Sequence, residues 1–170
     1  SFAEVIHEKI AGSRDRRAVW EPDANFRPPR GPNGHRHRDA RFVRTGSLGR
    51  SKVLESTCGA VMASLTTVSR LPYAPRVETE IRLYRGVRQI DVIVRVDKSI
   101  QTKYESLYLA LPFALLHPRA FIHSCDAVFE AGVEQLPGSC CDYYAVQDYV
   151  ALAGDEGWAV TVPHEAPLVQ

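Results

Sequence analysis

The chain has 170 residues, 45% of them apolar and 24% charged, with a formal net charge of +1. That is long enough and apolar enough for one domain with its own core, which argues against a disordered or tail-like protein. No window approaches 18 uncharged apolar residues, so no transmembrane helix and no membrane partner are expected.

The charge is unevenly placed. Residues 14–52 carry a net +7 and residues 53–170 a net −5. The basic stretch has few aromatics and no recognised binding motif. It therefore reads as a solvated loop, and no nucleic-acid partner is expected.

At the start, SFAEVIHEKI shows no secretory pattern and no Met; the closing HEAPLVQ stops on apolar residues. Together they lead to the expectation of a piece cut from a larger chain. EVIHEKI could form a short helix, with Ile6 and Ile10 four apart, or a strand, and the strand is the preferred reading. Residues 21–40, EPDANFRPPRGPNGHRHRDA, are rich in Pro, Gly, Asn and Arg and read as a long loop inside a basic insert spanning 13–52.

From residue 53 onward strand signals dominate. In VETEIRLY, Val77, Thr79, Ile81 and Leu83 fall on one face, with Glu78, Glu80 and Arg82 on the other. A turn at Arg85-Gly86 follows. RQIDVIVRVDK then places Ile90, Val92, Val94 and Val96 on one face. This is the pattern of a long β-hairpin, with Gly where a turn needs positive φ. Leu107, Leu109 and Leu111 continue the alternation up to Pro112. Segments 53–70, 121–130, 143–152 and 157–162 read as further strands, separated by LPYAP, LLHPR, LPGS and AGDEG. No stretch after residue 12 carries a sustained helical stripe. The expected fold is therefore all-β, an antiparallel β-sandwich forming one domain over 1–170, with 53–170 as its main part.

Cys58, Cys125, Cys140 and Cys141 form no C-x-x-C. Neighbouring cysteines rarely bridge each other, so four reduced thiols and a cytoplasmic location are expected; one bridge from Cys125 to Cys140 or Cys141 stays open. His35 and His37 alternate in a loop flanked by arginines that repel a cation, and no acid or thiol sits at ligand spacing, so no metal site is expected. There is no nucleophile elbow, phosphate-binding loop or dinucleotide fingerprint. Acids such as Glu130 with Glu134, or Asp142 with Asp148, offer no more pairing than any acid-containing chain does. No catalytic residue is expected.

The densest chemistry is QLPGSCCDYYAVQDYV, 135–150. Tyr143, Tyr144, Tyr149 and, beyond this stretch, Trp158 are the aromatic candidates. Core packing is the ordinary role of such rings. An exposed ring beside a carboxylate or amide is also what a sugar-facing surface needs, since the ring covers C–H groups while the polar atoms bond hydroxyls. Gln135, Asp142, Tyr143, Tyr144 and Gln147 are accordingly the candidate carbohydrate-facing residues.

RVETEIRLYRGVRQIDVIVRVDKS, LYLALPFAL and then QLPGSCCDYYAVQDYVALAGDEGWAVTVPHEAPLVQ, in that order, resemble the C-terminal β-sandwich region of glycoside hydrolase family 38-like proteins, the α-mannosidase class. The resemblance covers residues 53–170. It implies a supersandwich of the galactose mutarotase-like kind. It also implies a parent glycosidase whose zinc and aspartate nucleophile lie in a separate β/α barrel, working by the retaining two-carboxylate logic. These 170 residues contain neither the barrel nor its zinc motif, so no cofactor is expected in this piece. The implied partners are that barrel, against which Gln135, Asp142, Tyr143, Tyr144 and Gln147 would also be placed, and carbohydrate at the cleft edge. Cys141 and Tyr143 stand where Arg and Trp are commoner in the family. A stand-alone carbohydrate-binding module and a protein-interaction sandwich are the other functions such a sequence suits, because sandwiches host many functions.

Overall fold

The computed structural model describes residues 3–10, 42–101, 105–137, 139, 143–166 and 168–169. Among them there are strands and turns but no helix: β1 (Glu4–Ile10), β2 (Phe42–Thr45), β3 (Lys52–Cys58), β4 (Met62–Leu71), β5 (Ala74–Tyr84), β6 (Ile90–Asp97), β7 (Glu105–Ala110), β8 (Arg119–Ser124), β9 (Ala127–Glu130), β10 (Tyr144–Ala145), β11 (Val150–Gly154), β12 (Gly157–Thr161) and β13 (Leu168–Val169). Every pairing is antiparallel. The protein is all-β, as its period-two patterning predicts. No described helix is long and apolar enough to cross a membrane. The loop expected at 21–40, with His35 and His37, lies outside the described residues.

Contacts divide the described residues into two compact units, one holding those up to Pro112 and the other those from Phe113 onward. The division falls after Pro112, inside the segment expected to form one main sandwich.

The first unit contains two sheets, ordered β2-β1-β7 and β3-β4-β5-β6. The β5–β6 hairpin has the expected faces: Val77 lies opposite Val96, Thr79 opposite Val94, Ile81 opposite Val92 and Leu83 opposite Ile90. Its other face holds Glu78, Glu80 and Arg82 against Arg95 and Asp91. There Glu78 pairs with Arg76 and Arg95, and Glu80 with Arg82 and Arg95. Gly86 turns the hairpin at φ 77°, a conformation that costs a side chain but not glycine. Segment 53–70 is two strands rather than one. The chain reverses at 59–61, where the Gly59 N–H donates to the Met62 carbonyl at 2.9 Å.

Alternation puts Val5 of β1 and Leu107 of β7 on one face of the three-stranded sheet. They pack with Leu71, Ala74, Val77 and Val94 of the four-stranded sheet to form the core of this unit. Two apolar sheet faces meet because each has only one dry side. Toward its other end the same face of the β3–β6 sheet leaves Leu65, Leu83 and Ile90 exposed.

Beside this core lies a buried polar group. The His7 Nε2 is 3.0 Å from Oε2 of Glu105, whose Oε1 meets the Lys98 ammonium at 2.8 Å. The Tyr73 ring sits edge-on to His7 at 5.8 Å, from a turn residue held at φ 61°. Burial pushes the Glu105 carboxyl up, but hydrogen bonds from Lys98 and His7 outweigh it and hold the group below the ordinary glutamate range. On the opposite face, buried Glu8 accepts from Arg44 Nε at 2.5 Å and from the Tyr108 hydroxyl at 3.1 Å.

The second unit contains a four-stranded sheet, ordered β12-β11-β8-β9, and a two-stranded one, β10-β13. Segment 121–130 is likewise a hairpin. Cys125 and Asp126 both take positive φ, 53° and 58°, the geometry of a two-residue type I′ turn. Ile122, only 2% exposed, lies opposite both Val150 and Phe129 and anchors the inner face.

Ile122→Ala should lower stability by about 2–5 kcal/mol, whereas Val162→Ala, at an exposed position, should stay within roughly 0.5 kcal/mol; urea unfolding of the whole chain checks both. The lowered Glu105 group stabilises the fold above the ordinary glutamate pKa of about 4.3, and that stability drains as pH falls toward its folded value. Melting temperatures of the wild type should therefore fall more steeply below that pH than those of Glu105→Gln.

Candidate functional site

The outer face of the β12-β11-β8-β9 sheet is built from three strands in register. Ala153 lies opposite Arg119 on one side and Trp158 on the other, while Ala151 lies opposite Phe121 and Val160. Directly opposed residues share a face, so the two alanines form a low floor between taller side chains. Across that floor Trp158 reaches Phe121, with ring centroids 6.2 Å apart and planes 25° from parallel. Trp158 is nevertheless 72% exposed. A large ring that is stacked yet wet is the notable feature of this unit, because a buried Trp is the usual outcome.

Arg119 completes the arrangement from the same strand as Phe121. Its guanidinium carbon lies 5.0 Å from the Phe121 ring centroid. Its Nε and Nη2 donate to the two carboxylate oxygens of Glu130, at 3.0 and 2.6 Å. Glu130 lies opposite Phe121 on β9. Each partner favours the charged form of the other: the hydrogen bond raises the Arg119 pKa and lowers that of Glu130. One step along β8, His123 stacks on Tyr149 at 5.1 Å with planes 6° apart, and its Nδ1 lies 3.1 Å from Asp148 Oδ2. The face thus combines an exposed aromatic surface with a carboxylate and a guanidinium at its margin. Chemically it can cover C–H groups and bond hydroxyls. Among the described residues, no three His, Cys, Asp or Glu side chains gather as a metal-ligand group.

The residues singled out in 135–150 are placed elsewhere. Gln135 Oε1 accepts from the Tyr144 hydroxyl at 3.1 Å and from the Gly132 N–H at 2.9 Å. The Tyr144 ring is half-buried 6.1 Å from Phe129, which lies on the face opposite Trp158. Gln147 ties down the β8–β9 turn. Its backbone N–H donates to the His123 carbonyl, its Oε1 accepts from the Asp126 N–H at 3.2 Å, and its Nε2 donates to Asp126 Oδ1 at 3.4 Å. Tyr143 is 48% exposed. Asp142, Cys140 and Cys141 lie outside the described residues, while Cys58 and Cys125 are free, exposed thiols.

Arg119 and Phe121 escape a search for dense motifs because they sit in an unremarkable apolar run. The signal for them is the spacing Arg119, Phe121, His123 beside the small-residue run ALAG. Comparison of the chain with protein-family models, curated proteins and solved structures gives no match.

Gln147→Ala should loosen the 125–126 turn and cost about 0.5–1.5 kcal/mol for each hydrogen bond lost. Hydrogen exchange of the β8–β9 amides is the measurement, and faster exchange confined to that hairpin is the expected result.

Proposed function

We propose that this chain is a non-catalytic β-sandwich piece of a family 38-like glycoside hydrolase of the α-mannosidase class. In this reading it supports a catalytic barrel elsewhere in the parent and holds carbohydrate at the cleft edge. The exposed, stacked indole of Trp158, with the Arg119–Glu130 pair at its margin, is the observation that carries the carbohydrate assignment. In this reading it is the main contact surface, since the polar atoms of Gln135 and Gln147 in the 135–150 stretch serve the fold.

Support for the parent class comes from the resemblance over 53–170 and from the all-β architecture. The uncovered aliphatic end of the β3–β6 sheet, with Leu65, Leu83 and Ile90, is the surface the piece offers to the barrel. The exposed free thiols of Cys58 and Cys125 suit a reducing compartment, and we assign the cytoplasm.

Titration of the purified chain with manno- and gluco-oligosaccharides, followed by calorimetry, tests the carbohydrate assignment. Trp158→Ala should weaken binding about tenfold, the loss of roughly 1.4 kcal/mol, while Val87→Ser in the first unit leaves it unchanged. Loss of binding in Tyr143→Ala with none in Trp158→Ala would return the site to the 135–150 stretch. No saturable heat with any oligosaccharide would remove the carbohydrate role and leave the supporting one.

A further inference from the structure

The Trp158 face, read as a carbohydrate platform, also has a charge character that sets what it accepts. Among the described residues from Phe113 onward there are one Arg, no Lys and seven carboxylates. The single Arg is Arg119, and its charge is committed within the site. Glu130 takes two of its N–H donors in a fork at 3.0 and 2.6 Å, and Phe121 lies beneath the guanidinium. The remaining N–H groups can still donate to a hydroxyl.

Three neighbouring carboxylates have polar groups close by. Asp148 faces His123 at 3.1 Å, Asp155 faces His117 at 2.8 Å, and Glu134 accepts from the Glu130 N–H at 2.7 Å. An uncharged sugar meets donors, acceptors and an apolar ring with no charge to neutralise. An anionic sugar meets these carboxylates, and the one guanidinium among the described residues of the face is already paired.

We infer that the Trp158 platform selects uncharged saccharides over anionic ones, and that Glu130 is the specificity-determining residue because it holds Arg119 neutralised on Phe121. This rests on the carbohydrate assignment above and adds the ligand class.

The test is titration of the full chain at low ionic strength with neutral manno-oligosaccharides and with oligogalacturonate. The wild type should bind the neutral sugar at least roughly tenfold more tightly. Glu130→Gln should strengthen oligogalacturonate binding about two- to fivefold, the size of one exposed charge contact. That gain should vanish at high salt and in the double variant Arg119→Gln/Glu130→Gln. Arg119→Lys, which keeps the charge but loses the fork, should shift binding the same way and serves if Glu130→Gln melts early.

Wild-type oligogalacturonate binding equal to or tighter than neutral binding overturns the selectivity and leaves the platform standing. Absence of binding to both sugars overturns platform and selectivity together. Unchanged oligogalacturonate affinity in folded Glu130→Gln and Arg119→Lys overturns the role of Glu130.

Discussion

The contact between Trp158 and Phe121 depends on what does not stand between them. Trp158 on β12 and Phe121 on β8 are separated by a whole strand, and β11 contributes only Ala151 and Ala153 to their face. Larger side chains there would hold the rings apart and fill the surface. With alanines the two rings meet at 6.2 Å, and the indole lies against the sheet while remaining open to solvent. The position of Arg119 follows from the same register, since alternation returns it to the face of Phe121 two residues earlier. A slip of one residue in β8 against β11 would send Phe121 and Arg119 to the inner face and Ile122 to water.

Register in this unit is in turn held by its turns. The Cys125–Asp126 turn sets which residues of β8 and β9 oppose each other, and so brings Glu130 alongside Phe121. Gln147 braces that turn through three hydrogen bonds. Within the stretch that looks richest in chemistry, Gln135 and Gln147 thus contribute by fixing geometry. In the first unit the same period-two rule separates an ion-paired face of β5 and β6 from an aliphatic one. It also buries His7 beside Val5, where Glu105 and Lys98 supply its charged surroundings.

Much of the architecture is legible in the chain. The β5–β6 hairpin has the residues on each face that its alternation dictates, and EVIHEKI is a strand. Two longer segments read as single strands are hairpins, because their turns carry weak signals. One reverses around Gly59 and the other through Cys125 and Asp126, where Cys125 is an uncommon residue for a type I′ turn and no Gly follows Asp126 to mark it. The candidate site was less legible. Gln135, Tyr144 and Gln147 have the residue types of a sugar site, but their hydrogen-bond partners, Gly132, Asp126 and His123, are fixed only once the strands pair. Trp158 was visible as a lone aromatic without an indication of its neighbours.

By itself, then, the sequence determined the class of structure and which residues share a face along each strand. Those properties follow from local alternation and turn chemistry, which act within a few residues. Only the tertiary structure decided which strands are neighbours. That choice places Arg119, Phe121, Glu130 and Trp158 on one surface, though they span some forty residues of chain. Pairing across strands depends on register between distant segments, and no local pattern encodes it.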